Sequence, residues 1–438
     1  MFGYYLRLGM MSIRRNSGLS ALMMLAVGLG IGVSMTLFSL HYTLSADPIP
    51  HKSNELFAVR IDNWDPDSPY SDNRPTEPPW QHTYKDAKAL LASDVPTRQI
   101  AMHKSYFTLN TDSDDVKPFM VVSRQTTKDF FAMFDVPFLY GNGWDESAED
   151  SFEQVVVLSK STNEQVFGGE DSVGENIRLG AYDFKVIGVL DSWAPNIKYY
   201  DVNNGPIDEP EDVYLPFALT APLELPIGGN NNCWKNEEIV GFQGQLDSEC
   251  VWTQFWVELN SASQKAAYMD WLNGYVTEQK ALGRFDRPMN NRLDNVVEWM
   301  EANEVVPSDL TIMVGIAFLF LAVCLFNAVG LLLARFLAKS PVIALRRAVG
   351  ASKRDIFSQH LVEVGLIGIG GGLIGIVLAV IGLAGLTKLI SDVEQVARFS
   401  WSLGGIAIGL SLGATLLAGL YPTWKVCRVQ PSSQLKTQ

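Results

Sequence analysis

Residues Leu310 to Ala334 read LTIMVGIAFLFLAVCLFNAVGLLLA, a run without a single charged side chain. A helix needs about 20 apolar residues to cross the hydrocarbon core of a bilayer. A buried helix of a soluble protein rarely stays apolar on every face for that length. Similar runs lie at 19–42, 361–386 and 401–421, and Glu363 is the only acid in them. The sequence therefore predicts a membrane protein with four transmembrane helices, TM1 (19–42), TM2 (310–334), TM3 (361–386) and TM4 (401–421).

Charge is segregated between this apolar frame and the long stretch inside it. The chain has 438 residues and a net charge of -14. Residues 41–309 hold 44 of the 48 acids and 20 of the 34 bases, which gives a net of -24, whereas the flanking parts carry +10. A strongly acidic polar block with scattered basic residues argues against binding to nucleic acid.

The basic residues of the flanks predict the orientation in the membrane. Lys and Arg accumulate on the cytoplasmic side of transmembrane helices. They are concentrated in 1–18, in 335–358 and in the tail 422–438. We therefore expect both termini in the cytoplasm and the acidic block 46–308 outside it. A cleaved signal peptide is the alternative for the N-terminus, but its apolar region usually spans only 7–15 residues, so a retained anchor is favoured.

The acidic block has the strand and helix signals of a mixed α/β fold. Residues 191–250 are rich in Pro, Gly and Asn, which favours an extended loop or insertion. The predicted strands are Glu55–Ile61, Lys117–Ser123, Gln154–Leu158, Phe184–Leu190 and Phe255–Leu259. The predicted helices are Tyr84–Leu91, Thr127–Met133, Ser159–Phe167, Gln264–Leu282 and Leu293–Asn303.

Two kinds of residue indicate structural contacts. Glycines four residues apart allow helices to approach closely in lipid, although glycine is also simply common in such helices. They are Gly28 and Gly32 in TM1, Gly368, Gly371, Gly372 and Gly375 in TM3, and Gly405, Gly409 and Gly413 in TM4. Cys233 and Cys250 are the only cysteines of the acidic block. In an oxidising compartment they can form a disulfide, and two unpaired thiols are the other interpretation.

Several patterns typical of catalysis are absent from the sequence. The five histidines lack the spacing of a metal site, and no C-x-x-C or H-E-x-x-H motif occurs. The phosphate-binding G-x-x-x-x-G-K-[ST] pattern is absent as well. We therefore expect no catalytic residue, metal or cofactor in this chain, and any ATP with its Mg²⁺ to be bound by another chain.

The loop between TM2 and TM3 predicts a short helix with an apolar side. Pro341 suits the first position of a helix, and Gly350 suits its end. Ser352 and Asp355 have the spacing of a capping box that starts TM3. The apolar residues predict burial against a cytoplasmic partner or the lipid interface. The residues that we expect to couple the chain to a partner are Val342, Ile343, Leu345, Arg346, Arg347, Val349 and Gly350.

The same loop resembles a known family. IALRRAVGASKRDI (343–356) is similar to the E-I-G-I-R-R-A-L-G-A-x-x-x-D-I signature of MacB/FtsX-type ABC transporter permeases. YPTWKVCRVQP (421–431) resembles their Y-P-A-x-x-A-A-x-x-x-P ending. VVVLS (155–159) and VIGVL (186–190) look like parts of the MacB-type periplasmic core domain. The acid and glycine that usually flank the isoleucine are Val342 and Ala344 here, and the two alanines of the ending are Val426 and Cys427.

The resemblance implies an architecture and a set of partners. The helix at 341–349 would be the coupling helix, seated on a separate ABC ATPase subunit that binds ATP. The periplasmic domain would have a porter-like part (48–115 and 252–306) and an inserted lobe (116–251). The permease would pair with a second copy or a similar sibling in the bacterial inner membrane. A membrane-fusion adaptor and an outer-membrane channel are the usual further partners of such exporters.

Three functions are compatible with this resemblance. The first, favoured by the inserted lobe, is a MacB-like exporter that transmits ATP-driven motion and expels a periplasmic peptide, antibiotic or similar molecule. The second is a lipoprotein-release permease of the LolC/LolE type. The third is an FtsX-like transmitter of signals across the membrane that transports nothing.

Overall fold

The computed structural model describes residues 2–111, 116–389 and 401–428. Contacts divide the chain into two units. The helical unit comprises Met1–Ala46 and Val306–Gln438, and the sheet unit comprises Asp47–Val305. The connection 390–400 and residues 429–438 of the predicted tail lie outside the described residues.

The helices and strands of the described residues are numbered in chain order. The helices are α1 (Phe2–Arg15), α2 (Ser17–Ser45), α3 (Tyr84–Leu90), α4 (Phe130–Met133), α5 (Glu146–Asp150), α6 (Lys160–Phe167), α7 (Gly241–Asp247), α8 (Ala262–Ala281), α9 (Val296–Ala302), α10 (Ser308–Ala338), α11 (Ser340–Ala348), α12 (Lys353–Leu389) and α13 (Trp401–Cys427). The strands are β1 (Leu56–Arg60), β2 (Arg98–Asn110), β3 (Phe119–Thr126), β4 (Phe138–Gly141), β5 (Val155–Leu158), β6 (Asn176–Leu179), β7 (Tyr182–Leu190), β8 (Val213–Pro216), β9 (Gln254–Glu258) and β10 (Arg292–Asn295).

The four predicted transmembrane helices are present in the helical unit. Among the described residues, α2, α10, α12 and α13 are long and apolar enough to cross a membrane. Each extends beyond the predicted span; α12, for example, begins at Lys353 rather than near 361. Each helix is longer than its apolar run because the polar residues at the ends of the run continue the helical backbone hydrogen bonds. The sequence prediction had no helix before α2, whereas the structure has α1 there.

The loop between α10 and α12 has the predicted local structure. Helix α11 starts with Pro341 in its first turn, and Gly350 has a φ of 109°, a conformation that favours glycine. Ser352 and Asp355 form the reciprocal cap: the Ser352 amide donates to Asp355 Oδ2 (3.2 Å) and the Asp355 amide donates to Ser352 Oγ (3.1 Å). This cap starts α12 sharply after the turn.

The sheet unit is built on one mixed sheet of ten strands among the described residues. The strand order is β10-β1-β9-β2-β3-β8-β5-β7-β4, and β6 pairs with both β2 and β7. Most pairs are antiparallel, but β3–β8 and β5–β7 are parallel. The sheet is continuous because the 13-residue strand β2, which was not predicted from the sequence, pairs with β9, β3 and β6.

Two other segments differ from the sequence prediction. The predicted helix 293–303 is β10 followed by α9, because residues 292–295 pair with β1 before the Asn295 capping box starts the helix. The stretch 191–250 was predicted to be an extended loop or an insertion. It contains β8, α7 and two short 3₁₀ helices, Tyr199–Asn204 and Phe217–Leu219, which supply buried tyrosines and Phe217 to the core.

Two of the hydrophobic clusters among the described residues lie in the sheet unit. The first surrounds β1, β9, α3 and α8, and the second surrounds β5, β6, β7 and β8. Strand β2 contributes Ala101 to the first cluster and Phe107 and Leu109 to the second. Strand β2 therefore belongs to the cores on both sides of the predicted division into a porter-like part and an inserted lobe. The boundaries of these two parts remain predictions.

A fully buried charge network lies within the sheet unit. Arg124 donates to the carboxylates of Asp201 and Glu211, and Lys198 Nζ lies 2.6 Å from Glu211 Oε1. Tyr200 Oη donates to Glu211 Oε2 at 2.9 Å. Burial alone would raise the pKa of Glu211, but the charges of Arg124 and Lys198 outweigh it and hold this pKa well below its usual value.

Candidate coupling site

Helix α11 has one apolar side that packs against the other helices of its unit and a second apolar side that is exposed. Ile343 is only 5% exposed and packs in a cluster with Leu332, Phe336 and Ile356. Val342 (56%), Leu345 (57%) and Val349 (83%) are exposed. The periodicity of a helix separates these two sets, so Ile343 anchors α11 to the transmembrane helices and the other three are free to contact a partner.

The exposed side of α11 forms one wall of a cleft. The cleft has a volume of about 560 Å³. Its lining residues come from α1 (Tyr4, Tyr5 and Leu8), from α11 and its end (Leu345, Arg346, Val349 and Ala351) and from the start of α12 (Asp355, Ile356 and Gln359). The lining combines apolar side chains with phenol, guanidinium, amide and carboxylate groups, a composition that is typical of binding clefts.

Hydrogen bonds connect polar residues that line the cleft. Tyr5 Oη donates to Asp355 Oδ1 at 3.0 Å, which ties α1 to the start of α12. This bond raises the pKa of Tyr5, so the phenol remains a donor. Arg346 Nη1 donates to Gln359 Oε1 at 3.1 Å, which ties α11 to α12.

The structure places the predicted coupling residues in two groups. Val342, Leu345, Arg346 and Val349 lie on the exposed side, and Gly350 forms the turn that follows. Ile343 is buried, and Arg347 is half-buried with Nη1 3.4 Å from the Cys427 carbonyl oxygen. Sequence reasoning missed the α1 wall of Tyr4, Tyr5 and Leu8. These three residues precede the first span at positions i, i+1 and i+4, a spacing that predicts one apolar side of a helix.

The predicted glycine contacts are present between α2 and α12. A Cβ on Gly28 would lie 2.7 Å from Ile374 Cγ2, and one on Gly32 would lie 2.7 Å from Leu378 Cβ. In α13, by contrast, a Cβ on any of the three predicted packing glycines would meet no described atom within 4 Å; these are Gly405, Gly409 and Gly413. Their side of α13 faces away from the described helices, so it makes no close packing with them.

In the sheet unit, Cys233 and Cys250 are joined by a disulfide with their Cα atoms 4.2 Å apart. Cys250 is buried in the first hydrophobic cluster, beside Trp252 and Leu246. Cys324 and Cys427 are free and buried. No group of three His, Cys, Asp or Glu side chains within the part of the chain that the structure describes could hold a metal ion.

Two family models match this chain. The MacB-like periplasmic core domain matches residues 20–275, which is more than half of the chain, and the FtsX-like permease C-terminal domain matches residues 314–431. The second match includes α11 and the whole segment that carries the predicted coupling residues.

Curated relatives are about one quarter identical to this chain over the aligned part. The pyoverdine export ATP-binding/permease protein PvdT of Pseudomonas entomophila is 24% identical over 70% of this chain and 42% of its own length. The macrolide export ATP-binding/permease protein MacB of Bdellovibrio bacteriovorus is 24% identical over 68% and 41%. The chain thus spans less than half the length of these relatives. A crystal structure of the periplasmic region of MacB from Actinobacillus actinomycetemcomitans aligns with a TM-score of 0.38 at 15% identity, over 59% of this chain and 96% of that one.

Proposed function

Since the chain belongs to the MacB/FtsX-type family of ABC transporter permeases, we propose that it is the permease of an exporter driven by an ATPase on another chain. In this proposal α11 docks on the ATPase, and the helical unit passes the ATP-driven motion to the sheet unit. The sheet unit lies in the periplasm, where it expels a peptide, an antibiotic or a similar molecule. A second copy or a sibling permease, a membrane-fusion adaptor and an outer-membrane channel complete the machine.

The exposed apolar side of α11 is the observation that carries this proposal. Leu345 and Val349 line the 560 Å³ cleft and yet are more than half exposed. Fully burying an aliphatic side chain of this size contributes about 1.5–3 kcal/mol. A partner that covers both would gain about 2–4 kcal/mol, because the two side chains are only partly exposed before it binds.

The relatives support the direction of transport. Two of them are named as export proteins that combine ATP binding with a permease. The helical unit has only four candidate spans among its described residues, and its buried charges pair with one another. Such a bundle offers few groups to line a polar route, which favours a substrate that is handled in the sheet unit.

The decisive experiment is purification of the complex from native membranes with a double variant. Leu345→Asp with Val349→Asp places two carboxylates where the partner would bury apolar side chains, so we expect the ATPase to be lost from the purified complex. Val240→Asp is the matched control, because Val240 is 70% exposed in the sheet unit and should leave the complex intact. Retention of the ATPase by the double variant would contradict the proposed docking surface.

The same purification distinguishes the other functions of the family. Co-purification of a membrane-fusion adaptor supports the exporter. Lipoproteins that cross-link to the sheet unit, with no adaptor, would indicate a lipoprotein-release permease instead. A cell-wall hydrolase bound in their place would indicate a signal transmitter.

A further inference from the structure

Four ionisable side chains meet inside the helical unit, which is an expensive place for charge. Arg335 of α10 and Glu363 of α12 are both almost completely buried, and Arg335 Nη2 lies 2.7 Å from Glu363 Oε1. Lys339 Nζ lies 3.5 Å from the same oxygen, and His360 Nδ1 lies 3.6 Å from Glu363 Oε2. We call these four residues the Glu363 cluster.

The Glu363 cluster reaches into α1 and α2 through serines. Ser12 Oγ donates to Glu363 Oε1 at 2.6 Å, and Arg335 Nη2 donates to the Ser12 carbonyl oxygen at 2.8 Å. Arg335 Nη1 also donates to Ser20 Oγ at 2.9 Å. One carboxylate and one guanidinium therefore join α1, α2, α10 and α12 at a single point.

Helix α1 is shaped to reach this point. A Cβ on Gly9 would lie 3.0 Å from Leu366 Cδ1 and 3.6 Å from the Cα of Glu363. The missing side chain lets the backbone of α1 lie directly against α12, one turn before Ser12. A side chain larger than a methyl group at Gly9 would have to displace Leu366 or the α12 backbone.

The cluster also holds the start of α11. Lys339 is the residue that joins α10 to α11, and its ammonium group donates to Ser12 Oγ at 2.5 Å. Any displacement of α11 along the membrane surface would thus act on Lys339 first. Glu363 then links that residue, through Ser12, to α1.

Well-packed apolar residues can hold helices together as well as a buried ion pair does, whereas the ion pair specifies one arrangement. Four partners on one carboxylate give such specificity at the place where α1, α11 and α12 meet. We propose that Glu363 is a positioning residue that fixes α1 and the start of α11 to α12, so that the three move as one piece when the partner displaces α11. This inference rests on the proposed function, because it assumes that α11 receives the motion.

The test is a set of variants of the intact permease, purified with its ATPase in lipid nanodiscs. Glu363→Gln keeps the shape and removes the charge. We expect it to retain the ATPase, since the cleft of α11 is unchanged, but to lose most of the permease-dependent stimulation of ATP hydrolysis. Hydrogen exchange measured by mass spectrometry should rise at the amides of α1 and stay unchanged in α13. Glu363→Asp, which restores the charge, should recover part of both signals.

Two further variants separate positioning from mere structural support. Arg335→Met with Glu363→Met removes both charges and leaves an apolar pair; we expect an assembled complex that is still uncoupled. Asp309→Asn, at an exposed carboxylate at the start of α10, is the control and should behave like the wild type. Normal stimulation and normal α1 exchange in either Glu363→Gln or the double Met variant would overturn the inference.

The outcome is distinguishable from failure of the proposed function. If Leu345→Asp with Val349→Asp releases the ATPase while Glu363→Gln behaves like the wild type, α11 docks the partner but Glu363 does not position it. If the ATPase stays bound to the α11 double variant, the docking surface itself is wrong, whatever Glu363 does.

Discussion

Replacing Cys233 and Cys250 together by alanine removes the disulfide that closes a segment of the sheet unit. The two cysteines are 17 residues apart. A cross-link over this length reduces the entropy of the unfolded chain enough to contribute about 3 kcal/mol at 25 °C. Cys250 is buried, but alanine loses only one sulfur atom there, so the cross-link accounts for most of the expected loss.

The enclosed segment makes contacts that depend on its position. Leu246 is buried in the first hydrophobic cluster, and Phe242 packs against it. Both lie on α7, which contacts α3. Without the disulfide we therefore expect α7 to detach before the rest of the unit unfolds.

Thermal unfolding measured by tryptophan fluorescence reports on this unit, because nine of the eleven tryptophans lie in residues 47–305. For a unit of this size, about 3 kcal/mol corresponds to a decrease of roughly 6–12 °C in the midpoint temperature. A reductant should produce the same decrease in the wild type and none in the variant. Cys324→Ser is the control, since Cys324 is a free thiol. A midpoint that is unchanged in both the variant and the reduced wild type would refute the reasoning.

Three shorter predictions address the helical unit, the buried charges and the orientation. Gly28→Leu should lower the thermal midpoint of the permease in detergent, because overpacking costs about 1–3 kcal/mol, whereas Gly330→Leu, which has no described atom within 4 Å of its Cβ, should not; equal midpoints would argue against close packing of α2 on α12. The contribution of ionised Glu211 to the free energy of unfolding of the sheet unit should be fully present above about pH 4.3, the usual pKa of a glutamate, and should decrease as the pH falls below that value, since the folded-state pKa of Glu211 is depressed. In denaturant titrations at several pH values, Glu211→Gln should make the free energy of unfolding less dependent on pH, and an unchanged pH dependence would contradict the assignment. In cells with a permeabilised outer membrane, an impermeant maleimide should label Val240→Cys but not Val349→Cys, and the reverse labelling would invert the proposed orientation.

The four spans were predictable because membrane solubility imposes one simple constraint, a long apolar run. The caps of α11 and α12 were predictable for a similar reason, since Pro341, Gly350 and Ser352 act locally. The spans and their caps thus depend on residues that are close together in the sequence, and such local patterns can be recognised without the structure.

Strand β2 was missed because its pattern depends on distant partners. Consecutive residues such as Met102, His103 and Lys104 are all buried, so the alternation expected of a strand is absent. His103 tolerates burial because its Nε2 lies 3.0 Å from Thr220 Oγ1, and burial lowers its pKa to about 3 and keeps it neutral. A partner 117 residues away leaves no trace in the local sequence.

The candidate site was predicted in part. The sequence indicated which residues are apolar, but not which of them face the other helices of this chain. The apolar residues of 342–349 indicated a buried surface, but only the helix phase shows that Ile343 faces inward while Leu345 and Val349 face outward. The sequence predicted α1 only as a basic segment, although its glycine and serine at positions 9 and 12 contact α12.

The Glu363 cluster also bears on the charge argument for orientation. The positive-inside rule counts Arg335 and Lys339 among the cytoplasmic cations, yet Arg335 is buried and paired with Glu363, so it contributes no net charge to the surface. The loop retains Arg346, Arg347, Lys353 and Arg354. The rule counts Lys and Arg and gives little weight to acids, so these four cations predict the same orientation without the pair that the fold uses internally. Arg335 can be neutralised together with Glu363 without reversing the topology, and this is why the double Met variant is an interpretable test of coupling.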